Sequence, residues 1–303
     1  MRIRPWHLAL LMLLLCGGVF ALLEWRRSHR DFSDAALLMR LPDADGSCLY
    51  LDVRALRRSG LLEAIAGPPT EEEPEYKAFV AASGFDYRVH LDTIMAYFGP
   101  DFDLFIVRGQ LSWGQISRYM KDNAAQCTNA VCSLGLSGGR FLSAIPLSEN
   151  VVAFGVGGFR TVVFSTLDLR ARKDPNLPSE PLWLEFSEAF LKNPKRLPEG
   201  TRAFLTAVAG AKKVFFAVSP DGEMMQGLLT ATFATPEEAA AHRAKLEENT
   251  NLLRTFFERD HQQPDSSTVA KALLAGSFEQ KGVQVIGRWP LSKALFLNVV
   301  AAH

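Results

Sequence analysis

Gly135-Leu136-Ser137-Gly138-Gly139 has the spacing of a nucleophile elbow, in which a serine on a sharp strand-to-helix turn is exposed to attack an acyl carbon. The segment after it, Arg140 to Pro146, reads as a strand, so the context that chemistry needs is missing and the glycines read as a flexible turn. Gly155-Val156-Gly157-Gly158 follows a strand and matches the start of a phosphate-cradling loop, but Arg160 stands where the third glycine belongs. No acidic residue follows in the context that would bind a ribose, so these too read as tight-turn glycines. Asp43-Ala44-Asp45-Gly46 is a fragment of a calcium loop without the spaced oxygen ligands and terminal glutamate, and reads as a turn. His7, His29, His90, His242, His261 and His303 include no i, i+4 pair and no HExxH. The sequence therefore assigns no catalytic residue, no cofactor-binding residue, no metal ligand and no cofactor, and the chain is expected not to be an enzyme.

The cysteines carry the remaining chemistry. Cys16 lies in an apolar N-terminal run, which leaves Cys48, Cys127 and Cys132. The spacing Cys127-Thr-Asn-Ala-Val-Cys132 suits a small loop disulfide in an oxidising compartment. Free thiols are the alternative; a zinc knuckle would need two more ligands, and no histidine is near.

Trp6 to Trp25, WHLALLMLLLCGGVFALLEW, is the stretch that places the protein. Leu8 to Leu23 has no charge and reaches about 24 Å as a helix, while Trp6 to Trp25 reaches about 30 Å, the thickness of a bilayer's hydrocarbon core. A tryptophan at each end suits the two interfaces. The expectation is an uncleaved single-pass anchor over residues 1–30 in the inner membrane, bounded by Trp6, Leu8, Leu23 and Trp25, with the bilayer as partner. A cleaved signal peptide would use Val19-Phe20-Ala21, but Leu22 and Leu23 continue the apolar run past it. Lipidation at Cys16 would need a small residue where Leu15 stands. Arg2 and Arg4 before the segment nearly balance Arg26, Arg27 and Arg30 after it, so orientation rests on the cysteines and on the resemblance given below.

Over the whole chain 33 basic residues balance 33 acidic ones, which removes the general electrostatic case for nucleic-acid binding. Arg26 to Arg40 reads as a short helical stalk. Ser47 to Val53 reads as a strand, and the leucine spacing of Arg54 to Ala66 as one amphipathic helix. Glu75 to Ser83 reads as a helix that Gly84 ends. Thr93 to Gly109 reads as paired strands about Pro100-Asp101, followed by a helix with a Ser112–Gln115 capping box. Arg140 to Ile145 and Asn150 to Gly155 read as strands, and Thr161 to Arg172 as helix. The prolines of Lys173 to Pro181 mark the seam. Glu199 to Ala211 reads as helix and Lys213 to Phe233 as a hairpin. A helix from Thr235 to about Arg259 has a capping box at Thr235 and Glu238. Ser267 to Ala275 reads as a short helix, Ser277 to Pro290 as a hairpin, and Leu291 to Ala301 as an apolar closing helix.

Both parts follow one order of hairpin, capped helix, polar insertion, hairpin and helix. The expected fold is α+β, antiparallel sheets with helices packed on them, in two similar halves over residues 31–175 and 176–303. Their sheets either join by edges into one longer sheet or stack as two lobes. Leu41 to Ala44, Tyr50 to Leu62 (YLDVRALRRSGLL), Gly84-Phe85-Asp86 with Leu91-Asp92, and Phe105 to Leu111 (FIVRGQL) resemble a group of uncharacterised membrane-anchored bacterial proteins found outside the cytoplasm. The resemblance implies an anchored, duplicated α+β domain with the large part extracytoplasmic, and carries over no catalytic residue. The expected function is a membrane-tethered, non-catalytic binding or structural module of the bacterial cell envelope, with an envelope protein as candidate partner. The alternatives are a carrier of a lipid or other apolar ligand, suggested by 21 phenylalanines, and a hydrolase with dispersed catalytic residues.

Overall fold

The computed structural model describes residues 32–43, 45–66, 74–168, 178–192, 208–222, 224–259 and 269–292. The expected anchor with Trp6, Leu8, Leu23 and Trp25 lies outside them, as do most of the expected linker, most of the helix expected over Glu199 to Ala211, and nearly all of the closing helix. No helix among the described residues is long and apolar enough to cross a membrane.

The described strands are β1 (Ser47–Asp52), β2 (Leu91–Phe98), β3 (Phe102–Gly109), β4 (Gln126–Thr128), β5 (Val131–Gly135), β6 (Phe141–Ser148), β7 (Val151–Gly157), β8 (Leu182–Ser187), β9 (Lys213–Asp221), β10 (Met224–Thr232), β11 (Ser277–Lys281) and β12 (Gln284–Leu291). They form one twelve-stranded sheet in the order β11-β12-β10-β9-β8-β1-β2-β3-β7-β6-β5-β4. Neighbours are antiparallel throughout, from β11 against β12 to β4 against β5. The described strands thus make one continuous sheet, in which β1 pairs with β8. To one side, β1, β2 and β3 lead to the helix Trp113–Asp122, and β7 returns beside β3 with β6 outside it. To the other, β8, β9 and β10 lead to the helix Pro236–Arg259, and β12 returns beside β10 with β11 outside it.

Directly paired residues share a face of a sheet, so the register divides the side chains into a front and a back. At one end of the front, Ile116 and Met120 of the helix Trp113–Asp122 pack on Cys132, Ala144 and Val152. At the other, Ala239 and Leu246 of the helix Pro236–Arg259 pack with Leu229, Ala231, Val285 and Trp289. The back is covered by the helix α1 (Asp34–Leu38) and the 3₁₀ helix Val162–Leu167. Their Leu37, Leu38, Val162 and Val163 join Leu41 over Tyr50, Met95, Tyr97, Leu104, Ile106 and Trp183.

Several local expectations change. Arg26 to Arg40 does not end as a stalk, because Leu37 and Leu38 are only 1% exposed and draw α1 onto the sheet. Ser33 caps that helix, its hydroxyl accepting from the Ala36 amide at 3.3 Å. The single helix expected over Arg54 to Ala66 is two, Val53–Arg58 and Leu61–Ala66, broken where Gly60 takes φ +71°. Of the helix expected over Thr161 to Arg172, the described residues, which end at Asp168, form the 3₁₀ helix Val162–Leu167. Ser112 makes no side-chain cap, so the expected box with Gln115 is absent. At the second box, Thr235 Oγ1 accepts from the Glu238 amide at 3.2 Å, and the Glu238 carboxylate accepts from the Ala234 amide at 3.1 Å.

Candidate binding cleft

A cleft of about 540 Å³ opens on the front of the sheet, lined by Ser47, Phe98, Asp103, Arg140, Leu184, Phe186 and Phe190. Its origin is a rung of the ladder. Phe186 on β8 pairs with Ser47 on β1, Ser47 with Phe98 on β2, and Phe98 with Asp103 on β3. The buried Ser47 is thus a small side chain between two phenylalanines, and a groove results. The next rung repeats the contrast, with Ala96 between Leu49 and Phe105. Both walls are aromatic. Phe186 stacks on Phe190 with ring centres 5.6 Å apart, and Phe98 meets Phe105 edge to face at 5.7 Å. Phe190 reaches the cleft from the short helix Glu188–Lys192, whose start is tied to β8 where the Phe190 amide donates to Ser187 Oγ at 3.3 Å.

Besides Ser47, the polar lining is an ion pair: the Arg140 guanidinium donates to Asp103 Oδ2 at 2.9 Å. Arg140 is largely exposed, so the pair contributes under about 1 kcal/mol to stability, and it leaves the cleft wall without net charge. An apolar cavity of this size with few polar groups is the form of a small-molecule binding site.

A second polar cluster lies on the back, beneath α1. Arg108 on β3 donates to the Asp34 carboxylate, to Thr93 Oγ1 at 3.0 Å and to the Phe32 carbonyl at 3.1 Å, while the Tyr50 hydroxyl donates to Asp34 Oδ2 at 2.7 Å. Burial, and then the hydrogen bond to Asp34, push the Tyr50 hydroxyl far above the usual tyrosine range. Tyr97, on the same face, is pushed up to about 12 by burial, with the Asp45 and Asp101 carboxylates adding to it. This cluster is a clamp, fixing the chain at Phe32 to Asp34 against the sheet.

The motif-like stretches take ordinary structural places. Ser137 begins the exposed 3₁₀ turn Ser137–Gly139, in which Gly138 and Gly139 have φ of +71° and +73°, and the chain continues into strand β6 where an elbow needs a helix. Gly155 and Gly157 correct the reading as tight-turn glycines. Both lie inside β7, and a Cβ on Gly155 would stand 2.8 Å from the Val163 amide nitrogen, so they admit the 3₁₀ helix directly onto the strand. Among the described residues, no cluster of three or more His, Cys, Asp or Glu side chains is arranged to hold a metal ion. Cys127 and Cys132 face each other across β4 and β5 and are joined by a disulfide, with Cα atoms 4.0 Å apart; Cys48 is buried in the back core. None of the cleft residues was picked out by sequence reasoning. Strands on both sides of the β1–β8 pairing contribute, and abundant phenylalanine was the only signal.

These features define an α+β protein built on one long, open antiparallel sheet. No protein-family model and no curated protein sequence matches the chain. Among solved structures, crystal form I of TP0453, an envelope-associated protein of the bacterium Treponema, is similar over 90% of this chain and 99% of that one, with a TM-score of 0.50 and 10% identity. Crystal form III covers 88% of this chain and 98% of that one at 9% identity, with a TM-score of 0.49. At such identities the likeness is one of fold.

Proposed function

We propose that the chain is a membrane-tethered, non-catalytic binding module of the bacterial cell envelope, and that its ligand is apolar. The observation that carries the reading is the cleft of about 540 Å³ between Phe98, Phe186, Phe190 and Leu184. An aliphatic chain laid along it would remove those side chains from water at about 25 cal/mol per Å² of apolar surface buried. Since Asp103 already neutralises Arg140, the chemistry suits a ligand whose polar end is neutral or zwitterionic. The tether is residues 1–30, and the Cys127–Cys132 disulfide supports an oxidising, extracytoplasmic setting for the rest. The matched strand series, β1-β2-β3-β7-β6 and β8-β9-β10-β12-β11, support reading residues 31–175 and 176–303 as two structural repeats joined by their first strands.

The test is photolabelling of the full chain in lipid vesicles with a photoactivatable aliphatic probe, followed by peptide mapping. The expected adducts lie on the peptides carrying Phe98 and Leu184 to Phe190, and Ser47→Leu, which fills the groove, removes them. Labelling confined to Trp6 to Trp25 in the unsubstituted chain refutes the cleft and leaves the anchor standing.

A further inference from the structure

We propose that an apolar stripe of Phe159, Phe164 and Leu167, on the back of the sheet, rests on the same bilayer that holds the anchor. The proposal rests on the reading of residues 1–30 as a membrane anchor and adds a second, separate lipid contact.

The stripe follows from helix geometry. A 3₁₀ helix turns once in three residues, so residues three apart lie in one lengthwise row. In Val162–Leu167 the row of Val163 and Thr166 is fully buried against the sheet. The row of Phe164 and Leu167 therefore points outward, and these residues are 41% and 52% exposed, with Phe159 just before them at 75%. Isolated exposed apolar side chains are ordinary. Three within nine residues, two of them on one row of one short helix, form a patch, and such patches mark contact surfaces.

The path of the chain says what the patch contacts. α1 covers the same back face. Arg40, two residues beyond it, donates to the Thr166 carbonyl at 3.2 Å and lies 5.3 Å from the centre of the Phe32 ring. One side chain thus links Phe32 to the stripe's own helix. The clamp of Arg108 and Tyr50 on Phe32 and Asp34 stops that end from swinging away. From Trp25 to Phe32 is seven residues, a reach of at most about 25 Å. An anchor ending at Trp25 therefore holds the lipid surface close to Phe32, on the side of the sheet that carries the stripe. The front, with the cleft and the helix Pro236–Arg259, faces away from that surface.

The experiment uses the full chain with Cys16→Ser, reconstituted in vesicles of phosphatidylcholine and phosphatidylglycerol that carry a headgroup-region spin-labelled lipid. A polarity-sensitive fluorophore is attached at Phe164→Cys or, as the control, at Leu252→Cys, which is 62% exposed on the helix of the opposite face. The expected result is a blue shift and quenching of the probe at 164, with neither at 252. Equal and weak quenching at both positions, in chains that still float with the vesicles, overturns the stripe while leaving the anchor intact. A blue shift at 164 without quenching means contact between copies of the chain and also overturns it. Loss of flotation overturns the anchor reading, and the stripe falls with it.

Discussion

Replacing Gly155 with alanine tests whether the glycine-rich stretch of β7 exists for packing. A Cβ there would lie 2.8 Å from the Val163 nitrogen and 3.0 Å from Val162 Cγ1 and Val163 Cα. Carbon contacts settle at about 3.5–4.0 Å, so the 3₁₀ helix would have to retreat by more than about half an ångström. The obstacle includes backbone, which cannot rotate aside. Val163 is fully buried, and its amide donates to Ser143 Oγ at 3.3 Å, a bond the retreat would stretch beyond use. Overpacking of this kind costs about 1–3 kcal/mol, and the weakened hydrogen bond adds about 1 kcal/mol. Gly158 is the control, because a Cβ there meets nothing within 4 Å. Gly158→Ala should be neutral or stabilise by a few tenths of a kcal/mol. Thermal unfolding of the full chain in detergent, followed by circular dichroism, reads the contrast at roughly 2–4 °C per kcal/mol. Gly155→Ala should unfold several degrees below Gly158→Ala. Coincident curves would refute close packing as the reason for the glycine.

The double change Cys127→Ser, Cys132→Ser opens a small loop, and chain entropy for that loop length puts the loss at about 2 kcal/mol; faster amide exchange at Gln126 to Thr128, with β6 and β7 still protected, is the expected pattern. Raising the pH should destabilise the fold. Tyr50 and Tyr97 keep their protons in the folded chain above pH 10, where unfolded tyrosines release theirs, so their contribution is complete below about pH 10 and falls as pH rises above it. That of Tyr97 is lost as pH climbs through about 12, and that of Tyr50 at still higher pH. Denaturant titrations from pH 9 to 12 should show falling stability with a shallower slope in Tyr50→Phe; a flat profile would refute the assignment. Ser137→Ala should leave fold and phenotype unchanged, and a loss of function at unchanged stability would revive the catalytic serine.

Most strands were legible because alternation and turn chemistry agree locally. Pro100-Asp101, Pro220-Asp221-Gly222 and Lys281-Gly282 each bracket a hairpin, formed as β2–β3, β9–β10 and β11–β12. What escaped was set by distance along the chain. β8 beside a proline-rich segment and the three-residue β4 have too little pattern to announce themselves. Leu37 and Leu38 look like stalk residues until Tyr50, Met95 and Trp183 are placed beneath them. The cleft was least legible of all, since Ser47 is a gap only once Phe98 and Phe186 flank it. Phe164 and Leu167 became a surface only when the expected α-helix proved to be 3₁₀, which changes which residues share a side.

The two margins of the sheet bear on solubility. A ribbon of twelve strands at about 4.8 Å spacing is some 50 Å wide, and any edge with unpaired amides and carbonyls is a template for another chain. At one margin β11 carries Glu279 and Lys281, with Glu279 paired to Arg288 at 3.2 Å, so an incoming strand would meet charge. At the other, β4 offers only three residues, and the disulfide staples it to β5. The cystine thus acts as a selvedge: it keeps the last strand from peeling back and uncovering the longer β5. In a reducing medium the first symptom would be molecules sticking edge to edge, well before the interior gives way.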